Sequence, residues 1–206
     1  MKILSCFFFG VLISSAAVAA PYHPVSIGES SGVNFEIGYT AGTHEGHAQI
    51  SGTVDLNPET LEIFSASFSV PVKSMDSGNA KRDCHIRESL GINYIGSVYP
   101  QSHACNGKNQ LPTDGPNSVA YPEMKFTFVT VTAGIAKGSF EMHGVKKDIE
   151  IPLKLTKDAE GRVMVKSDFD LKLNDYGVVV KPFLVITTAD VATVHLNLLL
   201  IPTPLR

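Results

Sequence analysis

Two cysteines and two histidines are the residues of this 206-residue chain best suited to chemistry: Cys84 and His85, which are adjacent, and His103 and Cys105, which flank one residue. Together they form a competent zinc set, and the alternative function they suggest is that of a metal-binding or redox protein. Metal pairs usually come as C-x-x-C or H-x-x-x-H, spacings that turn both ligands inward, and an adjacent Cys-His pair lacks that property. A disulfide between Cys84 and Cys105 is the competing reading. Arg82, Asp83, His85 and Arg87 make a second cluster of ionisable groups in the same stretch. His44 and His47, three apart in what reads as a turn, could touch a metal, although a solvated pair is the commoner outcome. His143 lies in a strand-like block and reads as a hydrogen-bonded structural histidine rather than a base. There is no G-x-S-x-G elbow, P-loop, H-E-x-x-H or C-x-x-C-H, so no catalytic residue, resident metal or cofactor is assigned.

The start of the chain bears on the two cysteine readings. Lys2 leads into an apolar run from Ile3 to Val18 that closes on Ala16-Ala17-Val18-Ala19-Ala20, the pattern of a secretory signal peptide cleaved after Ala19. The run is too short for a stable membrane span, which needs about 20 apolar residues, and no other stretch approaches that length. The expected mature protein, residues 20–206, is periplasmic or secreted and carries no transmembrane segment. Cleavage discards Cys6 and Lys2, leaving Cys84 and Cys105, with 16 basic against 20 acidic residues. An oxidising compartment favours the disulfide over zinc, and the acidic balance gives no nucleic-acid footprint. The length fits one domain. A homodimer is left open.

The elements that must position these residues are mostly strands. Val33, Phe35, Ile37 and Tyr39 alternate with Asn34, Glu36 and Gly38, as do Ala66, Phe68, Val70 and Val72 with their neighbours. Ile149, Ile151, Leu153 and Leu155 keep the period through Pro152, whose missing N–H should face a bulge or an unpaired edge. Val163, Val165, Phe169, Leu171 and Leu173 continue it, and Ala192, Val194, Leu196, Leu198 and Leu200 end the chain with it. Turn signals fall between the runs at Asn57-Pro58-Glu59, at Asp158 to Gly161, at Asn174 to Gly177 and at Lys181-Pro182. Many short strands, each with one apolar face, predict an antiparallel sandwich or barrel. The exception runs from Asp76 to Pro122, where Ala80 to Tyr94 has weak helical spacing and a Gly-, Pro- and Asn-rich loop follows. A Cys84–Cys105 bridge would staple that helix to its loop and contribute roughly 3 kcal/mol.

Lys81-Arg82-Asp83-Cys84-His85-Ile86-Arg87 resembles the R-D-x-H-L-R signature of the YceI-like family, exported barrels that bind polyisoprenoids and related lipids. Further blocks follow in order. Val70 to Ser77 resembles the strand before that signature, Tyr121 to Phe126 the "FP-x-I-x-F" strand start, Gly138 to Val145 the G-x-L-T-I-H-G-V block, and Asp175-Tyr176-Gly177 the D-F-G turn. Two departures stand out. Gly28 to Phe35 lacks the His of the usual D-x-x-H-S-x-V-x-F opening, and the Cys84 and Cys105 pair with its long loop suggests a sub-branch with a modified barrel mouth.

The resemblance implies an all-β fold, an antiparallel eight-stranded lipocalin-like barrel with a short helix, and a binding or carrier role rather than an enzyme. Its interior would hold one small apolar ligand: a polyisoprenoid, an isoprenoid quinone or a fatty-acid derivative. The alternating residues Phe35, Ile37, Phe68, Val70, Phe126, Phe128, Phe140, Met142, Phe169, Leu171, Val194 and Leu196, with Ile86 from the helix, would line it. Arg82, Asp83, His85 and Arg87 would meet a polar head where the helix lies over one barrel end. The bland alternatives are a dry core filled by the same phenylalanines, a buried structural pair between Asp83 and an Arg, and a barrel without ligand.

Overall fold

The computed structural model describes residues 19–25, 32–92, 119–180, 185 and 187–204. Eleven strand segments form one antiparallel sheet: β1 (Ala20–Val25), β2 (Gly32–Tyr39), β3 (Gly42–Ala48), β4 (Ser51–Leu56), β5 (Ile63–Pro71), β6 (Glu123–Thr132), β7 (Ile135–Met142), β8 (Val145–Pro152), β9 (Lys154–Lys157), β10 (Val163–Lys172) and β11 (Thr188–Pro202). Among the described residues one α-helix, α1 (Ala80–Gly91), interrupts them.

Register reduces these segments to eight staves. β11 pairs along one edge with β1, from Pro202 opposite Tyr22 to Leu199 opposite Val25, and then with β2, from Asn197 opposite Gly32 to Thr188 opposite Tyr39. β1 and β2 are thus one stave in tandem, and β3 and β4, which pair with them, are a second. The third tandem pair is β8 and β9. β8 pairs with β7, β9 pairs with β10, and only Leu153 separates them, so the two ends of the sheet meet along one continuous piece of chain. Pro152 ends β8 at that change of partner, where a missing N–H breaks no ladder. β11, at 15 residues, is roughly 50 Å long at about 3.3 Å per residue and is the stave on which β10, β1 and β2 are assembled.

Tight turns hold the long hairpins. Ala133-Gly134 and His143-Gly144 join β6 to β7 and β7 to β8, all four residues with positive φ (50°, 77°, 52° and 75°), the backbone that two-residue turns between right-twisted strands require. His143 therefore sits in a turn rather than a strand. Its Nε2 lies 2.9 Å from the Ile92 carbonyl and its Nδ1 3.3 Å from that of Tyr176, which gives it the structural role expected of it.

Alternation turns one face of every stave inward, where two groups of buried side chains divide the interior. Met75, Leu90, Met124, Met142 and Leu171 belong to the group under α1. Tyr22, Val54, Leu56, Val163 and Leu200 fill the far end, with the Tyr22 hydroxyl donating to the Gly161 carbonyl at 3.3 Å. The helix starts at Ala80 as its spacing predicts and stops at Gly91, three residues short of Tyr94. Asn79 caps its start, its side chain accepting from the Arg82 amide at 3.1 Å.

Candidate functional site

The inward faces do not close on one another. They enclose a cavity of about 1060 Å³, at the top of the range that suits a small-molecule site. All thirteen residues expected to line an apolar interior do so, Ile86 from α1 and the others from the staves. Cross-strand glycines explain how six phenylalanines line a space without filling it. The Phe35 ring lies where a Cβ on Gly46 would be, 2.3 Å from that position, and the Phe126 ring lies 2.8 Å from the corresponding point on Gly138. Ala66 and Ala136 keep the wall thin elsewhere. Rings seated over glycines take less of the centre than rings stacked on side chains would.

The wall is apolar along most of its length and polar only under α1. There Tyr39, Thr43, His44, Asn79, Lys81, Arg82, His85, Ser89 and Thr188 line it. The helix reaches the cavity through Lys81-Arg82, His85-Ile86 and Ser89-Leu90, pairs four residues apart on one stripe. Its opposite side carries Asp83, Cys84, Arg87, Glu88 and Gly91, all buried in the protein.

This geometry divides the four ionisable residues of the signature. Arg82 and His85 line the cavity, whereas Asp83 and Arg87 do not. Asp83 accepts from the Ser77 amide at 2.7 Å and from the Ser77 hydroxyl. Arg87 donates to the Met75 carbonyl through Nε at 3.0 Å and through Nη2. Both therefore hold the segment that leads into the helix, and Asp76 within it exchanges backbone hydrogen bonds of 2.7 and 2.9 Å with His47 of β3. Glu88 is fully buried, with His85 Nδ1 3.7 Å from its carboxylate.

Of the nine residues lining the polar end only Arg82 and His85 were expected there; Tyr39, His44 and Lys81 are the titratable additions. His44 and His47 lie in β3 rather than in a turn, and their spacing of three sends them to opposite faces of the strand, so they do not share an ion. His44 stacks on Tyr39, the ring centroids 4.0 Å apart and the planes 10° from parallel. Its Nδ1 lies 2.6 Å from Nη1 of Arg82. A guanidinium can only donate, so Nδ1 is the acceptor. Burial, and then the Arg82 charge, hold the His44 pKa below its ordinary value, consistent with a neutral ring. Arg82 Nε is buried without a hydrogen-bond partner among the described residues.

Cys84 is 1% exposed on the packed side of α1, while His85 next to it faces the cavity, so the two do not converge. His103 and Cys105 lie outside the described residues.

The YceI-like domain model matches residues 28–200. The chain belongs to the YceI-like domain family. Two solved structures resemble this YceI-like protein in fold. Burkholderia cenocepacia BcnA is 15% identical over 81% of this chain and 94% of its own, with a TM-score of 0.58. A polyisoprenoid binding domain from Saccharophagus degradans, described as implicated in plant cell wall breakdown, is 14% identical over 89% of this chain and 98% of its own, with a TM-score of 0.56. No curated protein is a significant match in sequence. No helix among the described residues is long and apolar enough to cross a membrane.

Proposed function

We propose that this YceI-like protein is an exported binding or carrier protein for a long-chain amphiphilic lipid, a polyisoprenoid, isoprenoid quinone or fatty-acid derivative, and not an enzyme. The observation that carries the reading is one apolar cavity of about 1060 Å³ with its polar groups gathered at one end. At roughly 30 Å³ per non-hydrogen atom, the share of one water molecule in the liquid, it has room for roughly 35 non-hydrogen atoms. That is a long tail with a small head. The thirteen apolar residues take the tail, and Arg82 and His85 lie at the end where the head belongs. Asp83 and Arg87 serve the site by fixing the helix that presents those two.

Export rests on the signal-like residues 1–19 and is consistent with a first strand that begins at Ala20, the expected mature N-terminus. The mature protein is then a single domain of residues 20–206 in the periplasm or outside the cell, with Cys84 and Cys105 joined as a disulfide. Organic extraction of mature protein purified without detergent, followed by mass spectrometry, tests the reading. About one long apolar molecule per chain is expected. If extracts from several expression hosts contain none and none can be loaded in vitro, the carrier reading fails.

A further inference from the structure

We propose that the helix end of the cavity is an anion receptor, so that the molecule carried is acidic, with a phosphate or carboxylate on its apolar tail rather than a neutral quinone or alcohol head. The inference rests on the carrier reading and adds the charge of the head. Among the described residues, the titratable side chains lining the cavity are Tyr39, His44, Lys81, Arg82 and His85, and no carboxylate lines it. That selection runs against the chain as a whole, in which 20 acidic residues outnumber 17 basic ones.

Among the described residues no carboxylate forms an ion pair with Lys81 or Arg82. Arg82 spends one of its five N–H donors on the neutral ring of His44, and its buried Nε has no partner among the described residues. A desolvated guanidinium nitrogen without an acceptor is costly, and an anionic oxygen at the cavity mouth would remove that cost. The nearest carboxylates in sequence stay out of the cavity: Asp76 accepts from the Gly78 amide, Asp83 from Ser77, and Glu88 is buried behind His85. Lys81 and Arg82 also stand in the first turn of α1, where the helix macrodipole disfavours cations and favours anions. The helix tolerates them because they face the cavity, and the same field adds to their attraction for an acidic head.

Matched acid and alcohol probes test this: geranylgeranyl phosphate against geranylgeraniol, and hexadecanoate against hexadecanol. They are titrated calorimetrically into mature protein stripped of endogenous lipid, at neutral pH and at two salt concentrations. At least one acid should bind about ten- to hundredfold tighter than its alcohol, the range that charge-assisted hydrogen bonds give. The advantage should shrink in salt. An advantage confined to the prenyl pair identifies phosphate as the head, and one confined to the straight-chain pair identifies carboxylate. Arg82→Gln should bring the acid-to-alcohol ratio towards one while Arg82→Lys retains part of it, and Lys81→Gln, at an exposed position, gives the same readout should Arg82→Gln not fold. Equal binding within both pairs, or ratios unchanged in every variant, overturns the proposal and leaves the carrier reading standing. Binding of none of the four probes overturns both.

Discussion

Replacing Arg87 by Met should destabilise the protein without changing what it binds. Arg87 is 8% exposed, and its guanidinium gives two hydrogen bonds to the carbonyl of Met75, a residue 6% exposed. A hydrogen bond from a charged donor contributes about 1.5 to 3 kcal/mol. Two on one acceptor are not additive, so about 3 kcal/mol is a reasonable sum. Methionine keeps the length of the stem, which separates the lost hydrogen bonds from a lost volume. For a domain of this size each kcal/mol moves the midpoint by about 2 to 4 °C, so thermal unfolding should occur about 6 to 12 °C below the parent. Ligand per folded molecule, measured by extraction and mass spectrometry, should change by less than about threefold. Arg82→Met should do the reverse, since its hydrogen bond to His44 is only partly buried. Its stability should stay within about 1 kcal/mol while ligand retention falls. An Arg87→Met protein that unfolds within about 2 °C of the parent yet loses its ligand would exchange the roles of the two arginines and refute the division of the helix argued above.

Reduction of Cys84–Cys105 should lower stability by about 2 to 4 kcal/mol; two free thiols in freshly exported, unreduced protein, or stoichiometric zinc, would refute the pairing. His44 has a folded-state pKa depressed below 6.5 by burial and by Arg82. The stability this contributes is fully present above the unfolded pKa and is lost as pH falls through the folded value. His44→Gln, which keeps an acceptor for Arg82, should therefore unfold with a shallower loss of stability between about pH 7 and pH 5 than the parent, and equal slopes would sink the assignment. A Cβ on Gly138 would lie 2.5 Å from the Thr127 carbonyl and 2.8 Å from the Phe126 ring. Gly138→Ala should accordingly cost about 1 to 3 kcal/mol and reduce ligand per chain, with Phe126→Leu in the same chain restoring part of the binding; an unchanged midpoint would show that the wall is looser than this packing implies.

Where the inner face of a strand is apolar, the sequence was enough to place it. β2, β5, β10 and β11 show their alternation plainly, and it identifies their inward residues. β3 could not be found that way, because its inward positions are His44, Gly46 and Ala48, opposite Ile37, Phe35 and Val33. The partner strand supplies the bulk there and β3 supplies the room, so a strand that works by being small on its inner face looks like a turn. His44 was missed for that reason, and with it the acceptor that fixes Arg82. The helix is legible in its spacing, but which of its sides meets the cavity is not. Amphipathic contrast marks a helix with one wet side, and α1 shows little of it beyond its first turn, since one stripe lines the cavity and the other is buried in the protein. Yet spacing separates the two sides: Arg82, His85, Ile86 and Ser89 fall on one stripe at intervals of three and four, and Asp83 and Arg87, also four apart, fall on another. Four ionisable residues within one turn and a half cannot all face the same ligand, so the signature encodes two tasks. Asp83 and Arg87 bind the protein's own backbone at Ser77 and Met75, and that attachment aims Arg82 and His85 into the barrel.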